Sequence, residues 1–345
     1  MKKIVGIFAA AAVLATSVFA ADVSAATKIK GNVFSYANDT FSMLQQNNDS
    51  HDYANPNLVF NISDDRAGAS LKLTTDGNTK NVAQTTQTIW FKPVDALKIS
   101  VGNYDLALNK EQIDWTESVT GLGGNGYVLS VNASGFGLDV FFNEGSSADF
   151  WLAKGDGDPA IKEFGLKAAY GADFGTIGAF VDINRTTKRW TYHDGLIVDL
   201  DYNTGAVQNI LFGAGYRNNF NGIDVFCNVA GYMGKSFDWV RPEIYVSGKA
   251  DALGYSLFAA PVIWTNSDLN KDVECEVVAK VTYAMDGVTP YVYFKDNNVI
   301  AKSFAATVKV GATGSVGLMG WNIWAEIGLG DATTFAVPFE LTASF

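Results

Sequence analysis

The sequence predicts an all-β chain, specifically a transmembrane antiparallel β-barrel of 16–18 strands with short turns at one rim and longer loops at the other. Three observations carry this. After residue 26 a period of two runs through nearly every segment, while the 3.6-residue period of an amphipathic helix is hard to find. Short, turn-forming connections alternate with long polar ones. Aromatic residues gather near the ends of the alternating runs, at Trp90, Phe91, Tyr127, Tyr170, Tyr216, Tyr232, Trp239 and Trp264, where a membrane barrel needs interfacial belts.

Residues 1–20 read as an export signal: a positive MKK, an apolar IVGIFAAAAVLA, and small residues at Val18 and Ala20 that place cleavage before Ala21. The apolar run is too short to span a bilayer as a helix, which takes about 20 residues. Cleavage leaves one barrel domain, residues 21–345, with a formal charge of −13 once Lys2 and Lys3 are gone from the −11 of the whole chain. That balance argues against nucleic-acid binding, which wants clustered Lys and Arg.

The alternating runs follow in order. Leu58, Phe60 and Ile62 share one parity, then Leu71 and Leu73, then Leu97, Ile99 and Val101. Phe136–Phe142, Phe164–Tyr170 and Ile177–Ile183 continue it, and Tyr255–Ile263, Val273–Tyr283, Val288–Phe294 and Trp321–Leu329 carry it onward. Nine segments precede residue 184 and nine follow residue 209; the run Leu196–Tyr202 belongs to a long loop or adds a strand. SDDRAG, KPVDA, NASG, YGADFG, NNFNG, GKADALG and AMDG supply the turn chemistry. The long connections are 38–55, 76–85, 104–126, 144–161, 185–208 and 264–272. Cys227 and Cys275 both fall on the apolar parity, and strands three apart would hold them roughly 14 Å from each other. We therefore read them as small hydrophobes, beyond disulfide reach.

The chain ends in TFAVPFELTASF, with Phe345, Ala343, Leu341, Phe339, Val337 and Phe335 on one parity. This resembles the C-terminal strand of Gram-negative outer-membrane barrels. The resemblance implies that Phe345, Leu341 and Phe339 form the signal read by the barrel-assembly machinery. Pro338 departs from it, since it removes a ladder hydrogen bond from a strand that must close the sheet. NLVFNISDDRAGASLKL and IWFKPVDALKISVGNYD resemble two early hairpins of the general porins. That likeness implies a third loop folded into the channel, here residues 104–126, and a homotrimer in the outer membrane.

The loop carries Asp105, Glu111, Asp114 and Glu117 against a single Lys110. Folded inward, these carboxylates would narrow an acidic waist that attracts cations. Lys30, Lys72 and Lys98 fall on the lumen parity and would oppose them across the pore. The alternative is a solvated surface loop, with the lysines neutralising neighbouring lumen carboxylates.

Catalysis finds little footing. The two histidines, His51 and His193, both lie in loops, no serine sits in a nucleophile elbow, and no metal-ligand spacing appears. GDGDP at 155–159 lacks most ligands of a calcium loop. No cofactor or metal is expected. The reading is passive diffusion of small hydrophilic solutes or ions through a water-filled pore in the outer-membrane lipid. A barrel adhesin is the alternative, acting through long loops bearing Trp151 and the RWTYH stretch. A soluble carbohydrate-binding β-protein is a third, extractable without detergent.

Overall fold

A computed structural model describes residues 20–37, 39–46, 57–75, 82–106, 112–113, 116–117, 123–144, 161–184, 209–233, 237–265, 272–302 and 304–344. The alternation resolves into strands. The first third holds β1 (Ala20–Ala37), β2 (Thr40–Gln46), β3 (Asn57–Ser63), β4 (Ala67–Thr75), β5 (Val82–Val94) and β6 (Leu97–Asp105). A small hairpin, β7 (Gln112–Ile113) and β8 (Thr116–Glu117), stands apart from the main sheet. Then come β9 (Gly123–Ala133), β10 (Phe136–Glu144), β11 (Ile161–Ala172), β12 (Gly175–Asn184), β13 (Asn209–Phe220) and β14 (Ile223–Met233). The last third holds β15 (Phe237–Ala250), β16 (Leu253–Trp264), β17 (Glu274–Tyr283), β18 (Val288–Asp296), β19 (Ala306–Val316), β20 (Met319–Leu329) and β21 (Thr334–Ser344).

Every neighbouring pair is antiparallel, and β1 pairs with β21, which closes the sheet. β2 and β3 both pair with β1, through residues 31–37 and 20–26 respectively. They are two pieces of one stave, so the nineteen strands of the sheet form an 18-stranded barrel. This settles the count at the upper end of the expected range, with nine staves on either side of residues 185–208. It also corrects the reading of 38–55 as one loop, because Thr40–Gln46 is strand. Leu196–Tyr202, Trp151, His51, His193 and GDGDP lie outside the described residues.

Both ends of the sheet's path, Ala20 and Ser344, lie at the rim of the tight turns. All seven turn motifs are at that rim, and the strand ends that flank 76–81, 106–122, 145–160, 185–208 and 266–271 are at the other. Asn221 and Gly222 show the turn chemistry: both have positive φ, 53° and 90°, as a two-residue hairpin matched to strand twist requires.

Pro338 is accommodated at the seam. Beside its pairing with Asn32 the β1 register shifts, which leaves the missing N–H at a break in the ladder. Cys227 and Cys275 lie on β14 and β17, three strands apart, and both thiols are free.

Parity separates the faces. Val101, Val131, Leu166, Val229, Ile244, Leu257, Val281, Val292, Val310 and Ile323 project outward and are exposed. At the turn rim this band ends in Phe91, Phe136, Tyr170, Phe174, Tyr216, Phe220, Tyr283 and Trp321. At the loop rim it ends in Phe41, Tyr127, Phe142, Phe164, Phe212, Phe237 and Phe335. An apolar band between two aromatic belts is what a lipid-embedded barrel presents. Four of the belt residues expected from sequence are corrected: Trp90, Tyr232, Trp239 and Trp264 face inward. Tyr232 and Trp239 are buried in an inner cluster with Phe141, Phe180 and Leu211, and Trp264 packs on it.

Candidate functional site

The inner face is polar and charged, and its position follows from the register. Lys98, Ser130, Asp139, Lys167, Phe180, Gly213, Ala230 and Arg241 are successive cross-strand partners in one row. Residues in one row share a face, so the burial of Phe180 and Arg241 inside places Lys98 inside as well. The row starts next to the turn rim on β6 and ends near the loop rim on β15, which is the strand tilt a closed barrel needs.

Lys72 is likewise inward, paired with Thr86 on the row parity of Trp90. Lys92 and Lys98 flank the Trp90 indole, at 5.5 and 4.9 Å from the ring centroid. Gly68 lies behind that indole: a Cβ there would come within 2.6 Å of the ring nitrogen, so the ring rests on bare backbone. Lys30 pairs in register with Glu340, and its side chain lies outside the described residues.

Of the four loop carboxylates, Asp105 ends β6 and Glu117 sits in β8, opposite Gln112. Their side chains, and Glu111 and Asp114 altogether, lie outside the described residues, as does Phe345. The backbone adds one fact about the loop: β7 comes within 8 Å, Cα to Cα, of β17. In the barrel order β17 stands opposite the β6–β9 pair from which the loop leaves. Leu106, the first loop residue, packs against the inner cluster.

The sequence reading missed a charged network on the inner wall of β14–β20. Arg241, 1% exposed, donates from Nη2 to Glu276 Oε2 at 3.0 Å, and its Nε lies 3.4 Å from Glu243 Oε1. Asn228 donates to Glu243 Oε2 at 3.3 Å, and Lys295 Nζ lies 3.5 Å from Glu276 Oε1. Farther round, Lys309 Nζ lies 3.7 Å from Glu326 Oε2, to which Trp324 Nε1 also donates at 2.9 Å. At the turn rim Arg217 pairs with Asp224. The signal was present in the sequence, because these residues hold the polar parity of their strands. Most partners sit on different strands, and Arg241 on β15 reaches across β16 to Glu276 on β17, 35 residues away, so pairing was not readable.

Burial divides the inner wall. From β9 to β18 it is closed over its middle and loop-rim part, where Phe141, Phe180, Arg241, Phe258, Val278 and Tyr293 are buried, and Phe226 is buried nearer the turn rim. Among the described residues of β3–β6 and β19–β21, no inward-facing side chain is buried. The accessible side of the lumen therefore runs along those strands, past Lys72, Trp90, Lys98, Asn322, Trp324 and Glu326.

No family model and no curated protein matches the sequence. Solved structures do. The chain is similar to OccK11 (OpdR) of Pseudomonas aeruginosa, with a TM-score of 0.56 at 8% identity, over 94% of this chain and 96% of that one. It is similar to Pseudomonas aeruginosa OccK2 (OpdF), with a TM-score of 0.54 at 10% identity, over 94% and 97%. A variant of OccD1 (OprD) gives 0.52 at 9%, over 94% and 95%. The shared feature is the fold: a closed 18-stranded barrel of the outer-membrane porin type.

Proposed function

We propose that the protein is an outer-membrane porin that lets small hydrophilic solutes diffuse passively through a water-filled barrel. One observation carries this above the others: a closed 18-stranded sheet with an apolar, belted exterior and a charged interior. A barrel of this strand number encloses more space than side chains alone fill. The half-exposed inner residues along β19–β21 and β3–β6 mark where that space lies. In this reading residues 1–20 are a cleaved export signal, and residues 21–345 fold as one barrel with both ends in the periplasm. The C-terminal strand engages the assembly machinery through Phe339, Leu341 and Phe345.

The waist is formed by the loop of residues 104–126, whose ends, 104–105 and 123–126, are strand and whose middle reaches from β6 toward β17. Support comes from Leu106 on the inner cluster and from the approach of β7 to β17. Asp105, Glu111, Asp114 and Glu117 then face an open side whose wall carries Lys72 and Lys98. The result is a field across the pore with a cation preference. Screening over about 8 Å limits this to a preference.

Swelling of vesicles containing the refolded protein tests the proposal. Small sugars and amino acids should enter at rates that fall with solute size. Vesicles that swell no faster than protein-free ones would refute the open pore. Selectivity that does not change when Glu111→Gln and Asp114→Asn are combined would refute the acidic waist.

A further inference from the structure

Trp324 sits on the inner face of β20 where the closed and accessible parts of the wall meet. Its indole is fixed from two sides. Nε1 donates to Glu326 Oε2 at 2.9 Å, and its cross-strand partner is Gly311, where an added Cβ would lie 2.5 Å from the Trp324 Cβ. Lys309 lies 5.8 Å from the indole centroid and 3.7 Å from Glu326 Oε2. Two residues along β20, Asn322 accepts from the Tyr291 hydroxyl at 3.1 Å, which orients its amide. The Glu326 side chain is 36% exposed, so the carboxylate keeps an accessible side.

We propose that Trp324, Glu326, Lys309 and Asn322 form a saccharide subsite in the lumen. An aromatic face next to a hydrogen-bond acceptor, a cationic donor and an amide matches a pyranose ring, which has apolar C–H faces and a rim of hydroxyls. The ring stacks on Trp324, its hydroxyls donate to Glu326, and the Lys309 ammonium donates to them. The charge balance favours a neutral ligand: one ammonium and one carboxylate lie within 4 Å of each other, so an ion of either sign gains from one what it loses to the other. The Trp90 pair of lysines has no such balance, which makes it a poorer fit to an uncharged sugar. Position matters too, because a solute travelling along the accessible side passes Trp324.

This rests on the open-barrel reading, and the experiment separates the two. Maltotriose is added to single channels in a planar bilayer, with sorbitol, a polyol lacking a pyranose face, as control. Maltotriose is expected to reduce the current saturably, and sorbitol is not. Trp324→Ala should weaken the half-blocking concentration at least about tenfold, Trp324→Phe should retain part of the effect, and Trp321→Phe, on the outer face of the same strand, should change nothing. Steady channels that ignore maltotriose, or equal block in Trp324→Ala, would overturn the subsite and leave the porin standing. If no channels form, the porin reading fails, and calorimetric titration of the folded barrel in detergent decides the subsite. Saturable heat with maltotriose that Trp324→Ala removes supports it, and no heat overturns it.

Discussion

Replacing Arg241 with methionine would remove the cation that two buried carboxylates share. Arg241 holds Glu276 at 3.0 Å and Glu243 at 3.4 Å, with all three side chains at most 5% exposed. Water cannot take over as partner at such burial. Breaking a buried pair from one side costs about 3–5 kcal/mol, mostly the penalty of the charge left behind. The two carboxylates are not left equally. Glu276 retains Lys295 at 3.5 Å, a full positive charge. Glu243 retains the Asn228 amide at 3.3 Å, a dipole. The greater part of the cost should therefore sit on Glu243, and Arg241→Met with Glu243→Gln should recover more stability than Arg241→Met with Glu276→Gln. Guanidinium titration of the barrel in lipid vesicles, followed by tryptophan fluorescence, measures all four proteins. A loss below about 1 kcal/mol for Arg241→Met would mean the network is solvated. Better rescue by Glu276→Gln would mean the division of charge between its members has been misread.

Three further outcomes are expected. Val310 is 55% exposed at the middle of β19, whereas Leu341 lies beside Trp321 of the turn-rim belt. Arg should cost about 2–4 kcal/mol at Val310 and about 0–1 near the interface at Leu341, and the same titrations would refute the belt assignment if the order reversed. Gly165→Ala would place a Cβ 2.2 Å from the Val181 carbonyl and 2.5 Å from Phe141, costing about 1–3 kcal/mol of strain; unchanged stability would show that β11 and β12 can part there. In the β3–β4 turn, the backbone N–H groups of Ala67 and Arg66 donate to Asp64 and hold its carboxyl below the ordinary value of 3.8. Its contribution is present above that value and fades as pH falls through the depressed one. Asp64→Asn should flatten that acid limb of the unfolding midpoint, and an unaltered limb would refute the assignment.

The strand pattern was legible because a barrel wall puts lipid on one face and water on the other, so almost every stave alternates. Turn chemistry set the ends of the hairpins, and the nine-and-nine division followed. β2 was missed because Phe41 and Met43 give only a brief alternation within a polar stretch. Trp90, Tyr232, Trp239 and Trp264 were misassigned because composition near a strand end does not say which face a ring takes; only register with a residue of known face decides it. Lys72 and Lys98 were legible as inward by parity alone. The Arg241 and Lys309 networks were not, since they depend on which strands become neighbours at which height.

Single-channel current across a planar bilayer decides whether the barrel is open and water-filled. An open barrel with an acidic waist gives stable conductance steps and, under a salt gradient, a reversal potential on the cation-selective side that shrinks in Glu111→Gln/Asp114→Asn. Insertion of folded barrels with no current at any voltage would contradict it.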